Sequence, residues 1–234
     1  MTTLFNFNLK KNTGVIYYTN KKIIRKFSIN KKKKKMLNEF NGFNWYLEKS
    51  KHKLNNKKFN VELIKKNNYI NYPIIKAIKV PFWAPLKETK EYIEIIIKHY
   101  LRVWPNKNKV HYHGDLTIDN VLFRNFNNPV IIDWEYFKKD KLWGLDICHL
   151  LISSVVQPVL EKKNKKIPSS ELELLKELWS NFFKGKELIY LKDPVKYLQI
   201  INTKYLFKPS ETDFMFKITA NQKKQLLETI NNEK

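Results

Sequence analysis

Three polar residues in the middle of this 234-residue chain have the types and spacing for chemistry on a phosphate group. Asp115 is followed five residues later by Asn120, and Asp133 comes directly after the apolar run 130–132. A hydroxyl that attacks phosphorus needs a carboxylate to orient it and accept its proton. The magnesium ions that neutralise the phosphoryl group need carboxylate and amide oxygens. The three side chains can supply one base and two metal ligands.

The same spacing occurs in the catalytic loop of protein kinases, where a strand that ends in a metal-binding Asp follows the Asp and Asn. Three elements occur here in order: His113-x-Asp115-x4-Asn120, Ile132-Asp133-x-Glu135 and Gly144-x-Asp146. This ordered set resembles the aminoglycoside phosphotransferase and choline kinase family, which has a protein-kinase-like fold. The elements lie between residues 90 and 155, and the set is far more specific than a single His-x-Asp.

The resemblance implies a role for each matched residue. Asp115 resembles the catalytic base, and His113 resembles the residue that braces the catalytic loop. Asn120 and Asp133 resemble the magnesium ligands. Glu135 resembles an acid that fixes the loop, and we count it with the candidate metal ligands. ATP and Mg²⁺ are therefore the expected cofactors.

The N-terminal residues predict a hairpin that would carry a phosphate-binding cation. Gly14 to Thr19 and Lys22 to Phe27 alternate as strands and are separated by a short polar turn. The resemblance places a basic residue on the second strand, where it would hold the phosphates of ATP. Arg25 is the first choice for that residue and Lys26 the second. Neighbouring strand residues face opposite sides of a sheet, so only one of the two can face the site.

A helix predicted over residues 36–48 places Glu39 where the family has an acid that pairs with this basic residue. The region departs from the family in one respect. Gly14 is the only glycine near the expected phosphate-covering loop, and the sequence has no glycine-rich motif there. The lobe is also short.

The rest of the chain is predicted to be mainly helical, with an amphipathic helix over 88–104, a buried helix over 147–156 and a third helix over 171–183. We predict an α+β, two-lobed protein-kinase-like fold with a small, mainly antiparallel β N-lobe and a larger helical C-lobe. Residues 1–76 would form the nucleotide-binding lobe. Residues 77–234 would form the catalytic and acceptor-binding lobe.

Composition limits the class of protein. Hydrophobic residues make up 43% of the chain and aromatic residues 14%, which is typical of a globular protein. The single cysteine, Cys148, excludes an internal disulfide framework and fits a reducing compartment. The sequence shows neither a secretory signal nor an apolar run long enough to cross a membrane. We therefore expect a cytoplasmic protein without a transmembrane segment.

The net charge of +23 would attract nucleic acid, an anionic membrane surface or a phosphorylated ligand. The excess of lysine is spread over the whole chain, however, and no nucleic-acid recognition motif is present. We expect no specific nucleic-acid partner, while peripheral membrane contact and the oligomeric state are left open by the sequence.

These features predict an ATP-dependent kinase for the hydroxyl of a small molecule, with a sugar or glycan precursor as the first choice of acceptor. A choline or ethanolamine kinase is one alternative, because the Ile-Asp-Trp-Glu-Tyr pattern at 132–136 is closest to those enzymes. Trp179, Phe183 and Tyr190 could line an aromatic box for a quaternary amine, or they could be core residues. A catalytically inactive kinase-like binding module is the other alternative, suggested by the short N-lobe.

Overall fold

The computed structural model describes residues 7–10, 15–19, 23–28, 33–51, 53–54, 57–58, 62–64, 69–73, 78–80, 86–124, 128–156, 158–159, 166–205 and 218–231. Gly14, nearest to the expected phosphate-covering loop, lies outside these ranges. For some residues within the strands and helices the description covers the backbone alone, and Arg25 is one of these.

The N-terminal part of the chain contains a five-stranded antiparallel sheet. Its strands belong to the series β1 (Phe7–Lys10), β2 (Val15–Thr19), β3 (Ile23–Ser28), β4 (Lys53–Leu54), β5 (Lys57–Lys58), β6 (Glu62–Ile64) and β7 (Tyr69–Pro73). The order in the sheet is β1-β2-β3-β7-β6, and β4 pairs with β5 separately. Strands β2 and β3 pair from Val15 with Ser28 to Thr19 with Ile24, which confirms the predicted hairpin.

Helix α1 (Lys33–Ser50) follows this hairpin and contacts β6 and β7. Its buried apolar residues Met36, Phe43 and Leu47 recur at helical spacing, so one face of the helix is apolar. Glu39 lies on the buried side as well, with 2% of its surface exposed. A buried carboxylate needs a partner of opposite charge, and the neighbouring strand β3 provides one.

The C-terminal part of the chain is mainly helical. Its helices are α2 (Leu86–Val103), α3 (Leu145–Val155), α4 (Ser169–Phe183), α5 (Pro194–Tyr205) and α6 (Ala220–Asn231). Every residue of α3 is buried, and the helix contacts both α2 and α4. An apolar helix without a polar face belongs at the centre of a domain, which is the position that α3 takes.

Short strands between α2 and α3 place the polar loops of this region beside one another. These strands are β9 (Lys109–Tyr112), β10 (Val121–Phe123), β11 (Pro129–Ile131) and β12 (Lys138–Leu142). Strand β8 (Ile78–Lys79) precedes α2 and pairs with β10. Strands β10 and β11 form an antiparallel hairpin with Val121 opposite Ile131, and β9 pairs with β12. The loop after β9 and the loop after β11 meet, since the His113 side chain contacts the backbone oxygen of Ile132.

The predicted α+β fold is confirmed, with an antiparallel sheet toward the N-terminus and helices toward the C-terminus. The predicted division of the chain between residues 76 and 77 falls between β7 and β8. Among the described helices none combines the length and the apolar character that crossing a bilayer requires.

Candidate active site

The loop after β9 is fixed to the first turn of α3 by one carboxylate. Asp146 accepts hydrogen bonds from the backbone N–H of His113 at 2.9 Å and of Gly114 at 3.1 Å. Burial raises the pKa of Asp146 to about 7 although both bonds oppose the shift. Gly114 has φ +88°, and a Cβ atom there would lie 2.6 Å from the backbone oxygen of Tyr136. The loop therefore needs a glycine at this position.

His113 joins this loop to the end of β11. Its Nε2–H donates to the backbone oxygen of Ile132 at 2.9 Å, and its Nδ1 accepts the backbone N–H of Asp115 at 3.2 Å. This pair of contacts requires the neutral ring, and burial lowers the pKa of His113 to about 4. The histidine thus joins the loop to the end of β11 by hydrogen bonds, and the bracing role that the resemblance implies for it stays a prediction.

Asp115 and Asn120 are in contact on this loop. The side-chain amide of Asn120 donates to the backbone oxygen of Asp115 at 2.8 Å and to its carboxylate at 3.3 Å. The Asp115 side chain is 22% exposed, so its carboxylate can be reached from outside. Burial, together with the negative charge of Asp133, raises the pKa of Asp115 well above its ordinary value. A carboxylate with a raised pKa is a stronger base once it has lost its proton.

His149 also lies beside Asp115, and the sequence analysis did not identify it. Its Nε2 atom is 3.8 Å from Oδ1 of Asp115, and the ring is fully buried. Burial lowers the pKa of His149 to about 3, which favours the neutral ring. Its position three residues after Asp146 on the same helix places both side chains on one face. That spacing is the sequence signal that could have identified it.

Asp133 follows β11 in a backbone conformation that side chains seldom adopt. Its φ is +65°, in the left-handed region that Asp tolerates better than most residues at a cost of about 1 kcal/mol or more. The side chain is 36% exposed, which makes it the most accessible acid of the site. Strain of this kind is often retained where a side chain must point to a ligand.

Lys26 of β3 lies among three carboxylates. Its ammonium is 3.2 Å from Glu39, 2.7 Å from Asp133 and 2.7 Å from Glu135, and Lys26 is 1% exposed. The strand and α1 bring Lys26 and Glu39 together, while the loop after β11 brings the other two acids. The contact that the sequence predicted between Glu39 and a basic residue of this strand is present.

Glu39 is held from a second side by Tyr72, whose hydroxyl donates to its Oε1 at 2.6 Å. Burial raises the pKa of Glu39 to about 7, while the positive charge of Lys26 acts in the opposite direction. The charge of this carboxyl group near neutral pH therefore depends on the cation beside it. The sequence analysis did not single out Tyr72, because a tyrosine on a strand is ordinary.

Glu135 connects Lys26 to a second lysine. Its Oε1 contacts Lys26, and its Oε2 lies 3.5 Å from the ammonium of Lys35 in the first turn of α1. Lys35 donates to the hydroxyl of Tyr136 at 2.9 Å and lies 4.6 Å from the centre of that ring. The lysine run 31–35 gave no sign of which member would reach the site, since its residues are chemically alike.

The order of preference between the two basic residues of β3 changes. Arg25 was the first choice from the sequence, but its side chain lies outside what the structure describes. Its backbone pairs with Tyr18 and Asn71. The next residue, Lys26, carries the side chain that contacts the acids. Adjacent strand residues face opposite sides of the sheet, so this geometry favours Lys26, the second choice.

The acids of the site have the chemistry that a divalent cation needs. Ligand oxygens of Glu39, Asp133 and Glu135 all lie within 4.8 Å of one another. Carboxylate oxygens are hard ligands of the type that Mg²⁺ takes, and the ammonium of Lys26 already lies among them. Asp133 and Glu135 were predicted as metal ligands, whereas Glu39 was placed with the nucleotide. Asn120 is the remaining predicted ligand. Its amide nitrogen donates to Asp115, so its amide oxygen is the atom that could contact a metal.

The aromatic residues of the C-terminal helices pack as a core. Trp179, Phe183 and Tyr190 are all buried, and the Tyr190 hydroxyl donates to the backbone oxygen of Trp143 at 2.6 Å. A cavity of about 1190 Å³ lies between the end of α4 and α6. Its described lining carries three lysines and one glutamate: Lys184, Lys186, Lys192 and Glu187. A quaternary amine would meet a basic surface there.

Two comparisons with known proteins found a match. The model of the phosphotransferase enzyme family matches residues 79–142, which hold the loop after β9 and Asp133. Among solved structures, the streptomycin–ATP–APH(2″)-IIa ternary complex is similar at 12% identity and a TM-score of 0.43, covering 92% of this chain and 94% of that chain. No curated protein matches the sequence.

The matched segment is the one in which His113, Asp115, Asn120 and Asp133 lie. It includes the loop after β9, the β10–β11 hairpin and strand β12. The family model thus confirms the resemblance that the motifs carry, since residues 79–142 match the phosphotransferase enzyme family.

Proposed function

We propose that this protein is an ATP- and magnesium-dependent kinase that transfers a phosphoryl group to the hydroxyl of a small molecule. One observation carries the proposal. A partly exposed carboxylate, Asp115, is held by Asn120 on a loop that His113 joins to the strand preceding Asp133, and Lys26 lies among the acids opposite. Phosphoryl transfer needs a base, a set of metal ligands and a cation for phosphate around one place, and this arrangement supports the proposal because its residues could fill those roles.

Asp115 would orient the acceptor hydroxyl and accept its proton as the oxygen attacks phosphorus. Its raised pKa suits this role, because the carboxylate then holds the proton more firmly than an exposed Asp would. Asn120 and the backbone N–H bond to His113 hold the side chain and the loop in one orientation. Positioning of this kind is a large part of the catalytic effect in phosphoryl transfer.

The magnesium ion would be held by Asp133 and Glu135, with the amide oxygen of Asn120 as a further ligand. When bound, it would neutralise the charge of the phosphate oxygens. Lys26 would orient the nucleotide phosphates, and Glu39 would hold the Lys26 ammonium in place at 3.2 Å. ATP as the donor agrees with a cytoplasmic protein, which we propose as its location.

A neutral or anionic acceptor, such as a sugar or a glycan precursor, fits the C-terminal part of the chain better than an amino alcohol. The aromatic residues that could have formed a box for a quaternary amine are buried in the core. The cavity that Trp179 and Phe183 help to line also carries three lysines and one glutamate, and the chain carries a net charge of +23. A cationic acceptor would be repelled by this field.

Choline or ethanolamine is the second candidate, and the Ile-Asp-Trp-Glu-Tyr pattern at 132–136 favours it. A screen of sugars, glycan precursors, amino alcohols and aminoglycosides, read as acceptor-dependent ATP consumption with and without Mg²⁺, would test the proposal. Asp115→Asn protein purified in the same way shows whether the activity belongs to this chain.

We expect consumption of ATP with at least one hydroxyl acceptor, only when Mg²⁺ is present and only with the unsubstituted protein. Turnover of choline alone, with no sugar active, would reverse the ranking of acceptors and leave the kinase proposal intact. Failure of the protein to bind MgATP would contradict the kinase proposal and favour a binding module.

A further inference from the structure

Lys35 is a second cation of the site that neither the motifs nor the matched segment includes. It lies in the first turn of α1, and its side chain is 15% exposed. It contacts the Tyr136 hydroxyl at 2.9 Å and one oxygen of Glu135 at 3.5 Å. The same Glu135 contacts Lys26 through its other oxygen at 2.7 Å. The two ammonium groups are therefore neighbours across one carboxylate.

The two lysines differ in how firmly they are held. Lys26 is 1% exposed and has carboxylate partners at 2.7, 2.7 and 3.2 Å. Lys35 is more exposed, its short contact is to a neutral hydroxyl, and its carboxylate contact is longer. The contact of Lys35 with Glu135, at 3.5 Å, is longer than that of Lys26 with the same acid, at 2.7 Å, and the attraction between two charges weakens with distance. Lys35 can therefore leave these partners at a smaller cost than Lys26.

Lys35 is also joined to the loop that carries Asp115. Tyr136, to which it is bonded, packs against Gly114 of that loop. The ammonium thus contacts both a residue beside this loop and Glu135, one of the acids that would hold a metal.

A triphosphate in this site needs more positive charge than Lys26 and magnesium provide once the acids of the site are counted. Four carboxylates surround the site, Glu39, Asp115, Asp133 and Glu135, against two lysines in the described part of the chain. A glycine-rich loop would offer backbone N–H groups to the phosphates. The sequence has a single glycine, Gly14, before residue 42, so it cannot form that motif.

We propose that Lys35 is a phosphate-binding residue of the nucleotide site, which turns from Glu135 and Tyr136 to the terminal phosphates of the nucleotide and takes the place of a glycine-rich loop. The inference rests on the proposed kinase function. It assigns the contact to the β- and γ-phosphates, because the ammonium contacts Glu135, one of the acids that would hold the metal on those phosphates.

The test is nucleotide binding to the full chain with Lys35 replaced by alanine. The dissociation constants of MgATP, MgADP and AMP are measured by calorimetry. Loss of one charge-assisted contact should weaken MgATP binding about tenfold or more, MgADP less, and AMP not at all. Lys49→Ala is the matched control, since Lys49 lies on the same helix and pairs with the exposed Glu48. It should leave all three constants unchanged.

Two further variants separate phosphate binding from a structural role of Lys35. Tyr136→Phe removes the hydroxyl that holds Lys35 and keeps the charge, so MgATP affinity should stay within about twofold of the unsubstituted protein. Lys35→Arg should recover most of the affinity, because the positive charge is restored. Equal losses in Tyr136→Phe and Lys35→Ala would show a structural role and overturn the inference.

The outcomes also distinguish this inference from the kinase proposal. An unsubstituted protein that fails to bind MgATP would contradict the proposed function and this inference with it. An unsubstituted protein that binds MgATP, together with a Lys35→Ala variant of unchanged affinity or of equal loss for AMP, would overturn the role of Lys35 alone.

Discussion

The two sides of the candidate site are held in different ways. On one side, the catalytic loop is fixed by hydrogen bonds that involve its own backbone: Asp146 accepts two N–H groups, and His113 bonds Ile132 and Asp115. On the other side, Lys26 and Lys35 are held by side-chain charges, and the acids that hold them include Asp133 and Glu135 from the opposite side. The first side, which we call the catalytic side, is thus held by hydrogen bonds that involve its own backbone. The second side, which we call the basic side, is held in part by acids from the opposite side.

This difference indicates which part of the site responds to ligands. Backbone hydrogen bonds to a buried carboxylate do not change when a nucleotide arrives, so the loop that carries Asp115 is preformed. The ammonium of Lys26 lies where a divalent cation would compete for the same oxygens. A metal bound there would change the partners of Lys26 and Lys35. We therefore expect the side chains of the basic side to rearrange when nucleotide and metal bind, and those of the catalytic side to move little.

The largest effect is expected on the catalytic side, from Asp115→Asn. The amide cannot accept a proton, so turnover should fall about a thousandfold while the fold and nucleotide binding are kept. Steady-state kinetics with the best acceptor measures it. Asp119→Asn, four residues along the same loop, is the control and should retain activity. Wild-type turnover in Asp115→Asn would remove this residue as the base.

The second largest effect is expected on the basic side, where three acids share Lys26 as their cation. Lys26→Met leaves Glu39, Asp133 and Glu135 without their common cation, so the free energy of unfolding should fall by about 3 kcal/mol at pH 7.5. Urea denaturation measures the change. Lys49→Met replaces an exposed lysine of α1 and should change stability by about 0.5 kcal/mol or less. Equal stabilities of the two variants would show that the acids need no cation.

A smaller effect, a change of the free energy of unfolding with pH, is expected at His113 on the catalytic side. Its pKa is about 4 in the folded chain against 6.5 for an ordinary histidine, so between these values the unfolded chain binds the extra proton. The contribution of neutral His113 is fully present above pH 6.5 and is lost as the pH falls toward 4. From pH 7 to pH 5 the loss should be about 2 kcal/mol.

The His113→Asn variant should not lose this free energy of unfolding. The difference in unfolding free energy between the unsubstituted protein and the variant should therefore become smaller as the pH falls. Burial of Asp146 and Glu39 acts in the opposite direction between about pH 4 and pH 7, since their pKa values are raised to about 7. Comparing the two proteins at each pH cancels that contribution. Parallel curves of unfolding free energy against pH would show that the pKa of His113 is the same in the folded and the unfolded chain.

The smallest expected effect is a difference between two metal ligands. Asp133→Ala removes a full negative charge and Asn120→Ala a neutral amide, so magnesium-dependent nucleotide affinity should be about tenfold lower in the first variant than in the second. Titration of nucleotide with and without Mg²⁺ measures both. An affinity in Asp133→Ala that equals the unsubstituted value and is independent of metal would exclude Asp133 from the site.

The sequence by itself predicted the candidate residues of the catalytic side, because the information there is local. Asp115 and Asn120 are five residues apart on one loop, and Asp133 directly follows an apolar strand. Spacings this short fix the relative positions of side chains once the strands form. The α+β class and the β2–β3 hairpin were predictable for the same reason, since periodicity and turn residues are local signals.

Only the tertiary structure decided the basic side. Lys26 reaches Asp133 across 107 residues and Lys35 reaches Tyr136 across 101. Neither contact leaves a pattern in the sequence. The choice between Arg25 and Lys26 depends on which face of β3 meets α1, and a strand with two adjacent basic residues does not encode that choice. Lys35 is one of five consecutive lysines, and the packing of α1 against the loop after β11 selects it.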